Sequence, residues 1–225
     1  MNLLAVETSS AACSATVVRD GLFFSSFLPH AGTHSAALFP MIASALEKAD
    51  LAPDGIGLLA VSAGPGSFTG IRIGVAAVKG LAFARDLPAF GISSLEAAAW
   101  SSGHDGPAAA LIDARHGNYY FALFESLGGI YIRKTEDALL PAGEILSLLP
   151  PGTGLAGDGA ASFAALFPDR GFPLPRAVQD AEGVARAALA RPAGEAVAAR
   201  DLEARYLRPS QAEKTLSEKK HTGTV

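Results

Sequence analysis

A duplicated α/β fold, two lobes each built on a βββαβα order, is what this chain predicts, from three observations. Apolar runs and helical stretches follow one another in the same order twice. An acid closes the first apolar run of each half, Glu7 in "LLAVET" and Asp113 in "PAAALID". A glycine turn stands before a helix at the same place in both halves, with Gly64-Pro65-Gly66-Ser67-Phe68 echoed by Gly157-Asp158-Gly159 and then Ser162-Phe163.

The first half opens on the strand "LLAVET" and continues with "CSATVVRDGLFFSSFL", two strand-like runs around Asp20-Gly21, a dipeptide that favours a tight hairpin. Thr33 is the expected N-cap of a helix over "HSAALFPMIASALEKA", with apolar spacing at Leu38, Ile42, Ala45 and Ala49; Pro40 inside it predicts a kink or a late start. "LLAVSA" is a buried strand, the glycine turn follows, and a second helix runs from Thr69 to Arg85. "PAFGIS" and a short helix at "SLEAAAWSS" end this lobe at residue 102, and "GHDGP" reads as a linker. The second lobe, 107–225, repeats the order: "PAAALID", two strands around Gly128-Gly129, a short helix at Gly143–Leu149, then "TGLAGDGAASFAALF" and a helix over Ala181–Ala190. Residues beyond about 214 carry interleaved Lys and Glu and read as a frayed, disordered tail. Two such halves facing one another make the actin/hexokinase-like architecture, which by itself leaves activity open.

The 225 residues are long enough to bury a sizeable core, and 49% hydrophobic against 18% charged fits a packed soluble protein. A formal charge of −4 argues against autonomous nucleic-acid binding. The single Cys13 excludes an intramolecular disulfide and a Cys-based zinc cluster, and predicts a reducing compartment. "MNLLAVETSS" has no basic start, and Arg72, Lys79 and Arg85 interrupt the most apolar helix, so no leader and no membrane span are expected and the chain reads as cytoplasmic.

The glycine turn is not a P-loop, because Ile71 and Arg72 stand where Lys and Ser/Thr belong after Gly70. It is not a dinucleotide fingerprint either, since its glycines read G-x-G-x-x-x-G and no acid ends the next strand. Gly64, Gly66 and Pro65 shape a strand-to-helix turn. Ser67, Thr69 and Arg72 leave open an anion at the helix start. The helix that follows is apolar around most of its circumference, so it needs cover on most sides. Ala76, Gly80 and Ala84 form a ridge of small residues along it. Phe39 and Leu46 lie off the main stripe of the preceding helix. Either these two helices cover each other and the sheet, or they present a surface to a second protein.

"GPGSFTGIRIG" resembles the signature of the TsaB (YeaZ) family. "LLAVETSSAACSATVV", "THSAALFPMI", "GISSLEAAA", "LIDARHGNYYFALF" and "ARYLRPSQAE" extend the resemblance from Asn2 to about Glu213. Asn118 departs from it, standing where the family commonly has an acid after "DAR-x-G". The resemblance implies a non-catalytic relative of TsaD, a metalloprotein of the same fold. Such a subunit dimerises with TsaD through its N-terminal-lobe helices. It is needed for transfer of threonylcarbamoyl from an adenylate, made by a separate synthase, to N6 of the tRNA adenosine beside the anticodon. A TsaE-type ATPase joins the complex, tRNA is met only indirectly, and the chain alone is expected to self-dimerise through the same face. The docking residues so implied are His34, Leu38, Phe39, Ile42 and Leu46 with Thr69, Arg72, Ile73, Ala76, Gly80 and Ala84.

The alternative is an ATPase or small-molecule kinase of the same fold. Remnants of a nucleotide site are Glu7, Thr8, Gly64, Gly66, Ser67, Asp113, Gly157 and Gly159. "ETSSAAC" has no glycine to let backbone amides approach phosphate, so no cofactor is firmly implied, and ATP or ADP belongs if anywhere at the subunit interface. His30 and His34 have H-x-x-x-H spacing, but Pro29 and Gly32 break the helix that would align them and no third ligand is identifiable. No metal is therefore assigned, and His34 is expected to hydrogen-bond at the helix start. Ser67 follows "GPG" rather than a G-x-S-x-G elbow, against a hydrolase.

Overall fold

Asp20 and Gly21, at φ 52° and 78°, turn β2 (Cys13–Arg19) into β3 (Leu22–Leu28), the left-handed pair that a two-residue hairpin requires. The computed structural model describes residues 1–175 and 178–208. β1 (Asn2–Glu7) lies antiparallel to β2 and parallel to β4 (Ile56–Gly64), which is parallel to β5 (Pro88–Ser93). A two-residue β11 (Val197–Ala198) closes the edge at β5, so the first sheet runs β11-β5-β4-β1-β2-β3. α1 (His34–Lys48) and α2 (Phe68–Phe83) cover one face of it.

The second sheet repeats this start. β6 (Gly106–Asp113) is antiparallel to β7 (Asn118–Leu127) and parallel to β10 (Gly154–Ala156), with β8 (Ile130–Arg133) beside β7. β9 (Ala138–Pro141), which periodicity did not reveal, pairs the first residues of β7 where β8 leaves off. α4 (Ala142–Leu148) and α5 (Ala160–Leu166) cover one face, around Phe121, Ile145 and Phe163. The expected actin/hexokinase-like duplication is therefore present: β1 and β6, β4 and β10, α2 and α5 are counterparts.

The boundary expected between 1–102 and 107–225 is crossed twice, because each half lends a helix to the other. α3 (Ser94–Ser102) buries Leu95, Ala98 and Ala99 on the second sheet, against Ala108, Ala110 and Phe124. α6 (Ala181–Leu189) returns to the first sheet, burying Val184, Ala185 and Ala188 against Leu3, Ala5, Phe90 and Ile92. The physical reason is the mutual fit of α3 and α6. Both are rich in alanine, and Gly183 lies so close to Ala97 that a Cβ there would overlap its carbonyl oxygen. Asp180 caps α6 on the Gly183 amide at 2.9 Å and accepts a hydrogen bond from Ser101 of α3 at 2.9 Å.

Smaller differences have local causes. Thr33 occupies the N-cap of α1 but its side chain makes no capping bond. Pro40 sits inside α1, facing solvent, and the helix continues past it to Lys48. The tail expected beyond 214 lies outside the described residues. Among those described, no helix is long and apolar enough to cross a membrane.

Helix propensity alone makes Gly183→Ala favourable by ~1 kcal/mol. Contact with the Ala97 carbonyl reverses that sign, and we expect a net loss of ~1–3 kcal/mol in urea unfolding. An unchanged or raised midpoint would show that α3 and α6 are not in close contact.

Candidate functional site

The glycine turn between β4 and α2 is shaped by the chain end it touches. A Cβ on Gly66 would overlap Ser9 O, one on Gly70 would overlap Thr8 O, and one on Gly74 would meet Thr8 Oγ1. Gly64 (φ 112°) and Gly66 (φ 151°) also occupy backbone conformations that side chains disfavour. The approach is held by hydrogen bonds: Ser67 N donates to Ser9 O at 2.7 Å and Thr8 Oγ1 to Gly70 O at 2.8 Å. Ser67 Oγ caps α2 on the Gly70 amide at 3.2 Å. The second half repeats the device. Gly157 (φ 93°) abuts Leu111 O, Gly159 abuts the Asp113 amide, and Gly159 N donates to Leu111 O at 3.0 Å.

The loop from Thr8 to Ala12 is folded on itself. Ser9 N donates to Glu7 Oε1 and Ala12 N to Ser10 Oγ at 3.1 Å, so two amides of this loop are already engaged. The His34 ring lies 2.8 Å from Ser10 O and 3.1 Å from Ala12 O through Nε2, fastening the start of α1 to the same loop as a donor. Gln179, fully buried and missed by sequence reasoning, joins the two halves. It accepts from Asp158 N and donates to Ser9 Oγ, both at 3.3 Å.

Asp158, which the sequence did not single out, interacts electrostatically with both Glu7 and Asp113, the acids that close the first strand of each half. Glu7 is fully buried, and its Oε2 has no hydrogen-bond partner among the described residues. Burial pushes its carboxyl from 4.5 up to about 7 against the pull of the Ser62 hydroxyl and then of the Ser9 hydroxyl and amide, with the Asp158 charge adding to the rise. Asp158 is raised to about 6, first by the protein around it and then by Asp113, whose amide donates to its Oδ1 at 3.3 Å. Cys13 is in the core and its thiol is pushed up to about 11 by burial.

The second feature is a face of α1 and α2 that none of the described residues covers. Ala36, Phe39, Pro40 and Ala43 on α1 are exposed together with Ala76, Gly80, Phe83 and Ala84 on α2. Phe83 is 90% exposed and Phe39 54%, values unusual for aromatic side chains in a packed helix pair. Between the helices runs an open apolar groove lined by Leu38, Phe39, Ile73, Ala76, Gly80 and Leu81. A Cβ on Gly80 would meet nothing within 4 Å.

Three residues expected on this face are not surface groups. Leu38, Ile42 and Leu46 are 1%, 4% and 8% exposed and pack on the sheet, Leu38 forming only the groove floor. They are the residues at helical spacing that a single-sided helix must bury. His34 is likewise occupied by the Ser10–Ala12 loop. Phe83 was missed because it ends the helix, where no further turn marks its face. Arg72 and Lys79, on one stripe of α2, meet the returning C-terminal segment: Arg72 Nε donates to the Tyr206 hydroxyl at 3.0 Å and Lys79 Nζ to Arg200 O at 2.9 Å.

Residues 30–207 match the family model described as TsaD, tRNA N6-adenosine threonylcarbamoyltransferase. The chain is 32% identical over 151 residues to the tRNA threonylcarbamoyladenosine biosynthesis protein TsaB of Bacillus subtilis, covering 66% of each. It is 34% identical over 144 residues to the protein of the same name from Escherichia coli, covering 62% of each. The chain thus spans just under two thirds of the length of these curated relatives. Among solved structures, YeaZ from Pseudomonas aeruginosa aligns with a TM-score of 0.80 at 28% identity, over 92% of this chain and 99% of that one. An uncharacterized P. aeruginosa protein with similarity to peptidase YeaZ gives 0.78 and 29% over the same shares.

Two glycines of α2 are expected to behave oppositely. Gly80→Ala, in open space, gains ~0.5–1 kcal/mol of stability, whereas Gly70→Ala, driven into Thr8 O, loses ~3 kcal/mol or does not fold; urea midpoints of the two variants check this. The Glu7 carboxyl sets a pH dependence. Its folded value lies above the ordinary one, so its contribution is full below about pH 4.5 and is lost as pH rises through 7. The Glu7 share of that fall is roughly 3 kcal/mol. Urea titrations should find the Glu7→Gln variant matching the wild type at pH 5 and exceeding it at pH 8. Parallel profiles would place a solvated, ordinary carboxylate at position 7.

Proposed function

The chain belongs to the TsaB (YeaZ) family of TsaD-type proteins, and we propose that it is a non-catalytic subunit needed for threonylcarbamoyl transfer to N6 of the tRNA adenosine beside the anticodon. It docks a TsaD-type transferase on the exposed face of α1 and α2, and a TsaE-type ATPase joins through that assembly. The observation that carries this reading is the uncovered apolar face around Phe39, Gly80 and Phe83. Leaving such a surface in water is costly, and covering it in a standard interface removes about 1,600 Å² in total. Alone, the chain meets the same requirement by pairing with a second copy of itself.

The rival reading, an ATPase or kinase of this fold, is disfavoured by the loop after β1. Phosphate loops need free amides and glycine, and here Ser9 N and Ala12 N are engaged within a loop of buried serines. ATP or ADP, where one takes part, then sits at the junction of the two subunits rather than on this loop. Ser67, the residue a hydrolase reading would use, has its hydroxyl on the Gly70 amide.

Reconstitution tests the proposal. A TsaD-type enzyme supplied with the adenylate and tRNA should modify the tRNA only when this chain is added. Gly80→Leu should abolish both association and modification while its stability in urea stays equal to wild type or up to ~1 kcal/mol above it, as for a helical surface glycine. Full modification without this chain, or turnover of ATP by the chain alone that Glu7→Ala removes, would overturn the reading.

A further inference from the structure

Four arginines from distant parts of the sequence lie along the segment that bridges the two halves. The segment 200–208 runs back across both lobes. Arg205 N donates to Ala63 O at 2.6 Å, beside the first glycine turn. Three residues on, Arg208 Nη1 donates to Ala114 O at 3.1 Å in the turn between β6 and β7. That distance along the chain is at most about 10 Å. Arg72 lies against the near end, its guanidinium carbon 3.8 Å from the Phe68 ring centroid and its Nε on the Tyr206 hydroxyl. Arg115 and His116, in left-handed conformations at φ 68° and 56°, form the far end and are exposed.

Arg19, Arg133, Arg186, Arg191 and Arg200 each lie within ion-pair distance of a carboxylate. Arg72, Arg115, Arg205 and Arg208, like Arg85 and Arg170 elsewhere in the chain, have no carboxylate partner among the described residues, and what sets them apart is their place along one segment that touches both halves. The acids nearby are Glu203, Asp113 and Asp158; Arg115 acts on the last only at a distance. In a chain with formal charge −4, a group of unpaired guanidiniums beside an exposed Tyr206 is a local departure from the average surface. Planar guanidinium forks match phosphate oxygens, and an exposed aromatic ring offers an unpaired base a stacking face.

We propose that Arg72, Arg115, Arg205 and Arg208, with Tyr206, form an RNA-contact rim that holds the phosphates of a single-stranded loop while the docked partner acts on it. This rests on the reading that the chain serves a tRNA-modifying partner. It adds a direct contact where the family resemblance implied only an indirect one. Arg72 stands at the α2 end nearest the cleft, on the helix that carries Gly80 and Phe83, so a partner seated on that face adjoins the rim. Four contacts on an acidic chain add to the partner's affinity for RNA rather than replacing it.

The test uses the double variant Arg115→Ala/Arg205→Ala, since neither side chain makes a hydrogen bond within the described residues. Binding of an unmodified tRNA transcript to the complex is measured between 50 and 200 mM salt, alongside assembly of the complex by light scattering. Assembly should be unchanged. The slope of log K against log salt should shrink by about 1.4–1.8, and affinity near 0.1 M salt should fall roughly 25- to 60-fold. Unchanged affinity and slope would overturn the rim; weakened assembly would instead make it a contact for an acidic protein surface and overturn it too. Should the partner not bind, the same titration on the chain alone at low salt decides, with the same loss of slope expected. Failure of the functional reading is separate: tRNA modification then proceeds without this chain, whatever the arginines do.

Discussion

The approach of two backbones, the turn before α2 against the end of β1, sets the position of everything functional in this protein. Thr8 and Ser9 offer carbonyl oxygens where Gly66 and Gly70 have no side chain, and Ser67 N and Thr8 Oγ1 complete the contact. Because the contact is backbone to backbone, it tolerates no Cβ and fixes the angle at which α2 leaves the sheet. The buried side of α2, with Ile71, Val75 and Val78, then faces the core, and the opposite side is left to solvent. A glycine-rich helix start reads at first as an anion site. Here the glycines admit a neighbouring strand end, and the same geometry recurs at Gly157 and Gly159 against Leu111 and Asp113.

The exchange of α3 and α6 explains why two lobes behave as one body. Each helix covers the sheet of the other half, and they touch at Gly183 and Ala97, so separating the lobes would uncover apolar surface on both sheets at once. Gln179 and Ser9 add a buried polar contact across the same boundary. The cleft is thereby closed at its inner end by protein groups. Burial raises the Glu7 carboxyl to about 7, so it titrates close to neutral pH.

Much of the architecture was readable because it depends on local rules. Asp20-Gly21 marks a hairpin, Leu38, Ile42 and Ala45 mark the buried stripe of α1, and the doubled order marks the duplication. Pairings between distant segments carried no such mark. β9 and β11 are four and two residues long, too short for periodicity, and exist through β7 and β5. Nothing within α6 says which sheet its alanines will meet. The exposed apolar face of α1 and α2 was legible only in outline for the same reason. Helical spacing identified Ala76, Gly80 and Ala84 as one ridge, but it cannot separate the stripe facing a sheet from one facing a partner. The resemblance placed Leu38, Ile42 and Leu46 on the docking face, although the spacing of the first two also marks the stripe that the sheet buries, and Phe83 was assigned to neither.

What α2 does follows from having three surroundings on one cylinder. Its core side is anchored by the sheet and its first turn by the β1 end. One flank is tied by Arg72 and Lys79 to the segment that runs on to Arg208 and the second lobe. The remaining arc, from Ile73 to Ala84, has no cover among the described residues. A helix held so firmly on its other sides cannot rotate its apolar arc away from water or fold it under a loop. Rigid presentation of an uncovered surface lowers the ordering cost of binding. The same ties pass any shift of α2 to the C-terminal segment, and through it to the β6–β7 turn. The uncovered face and the β6–β7 turn are thus mechanically joined through one helix.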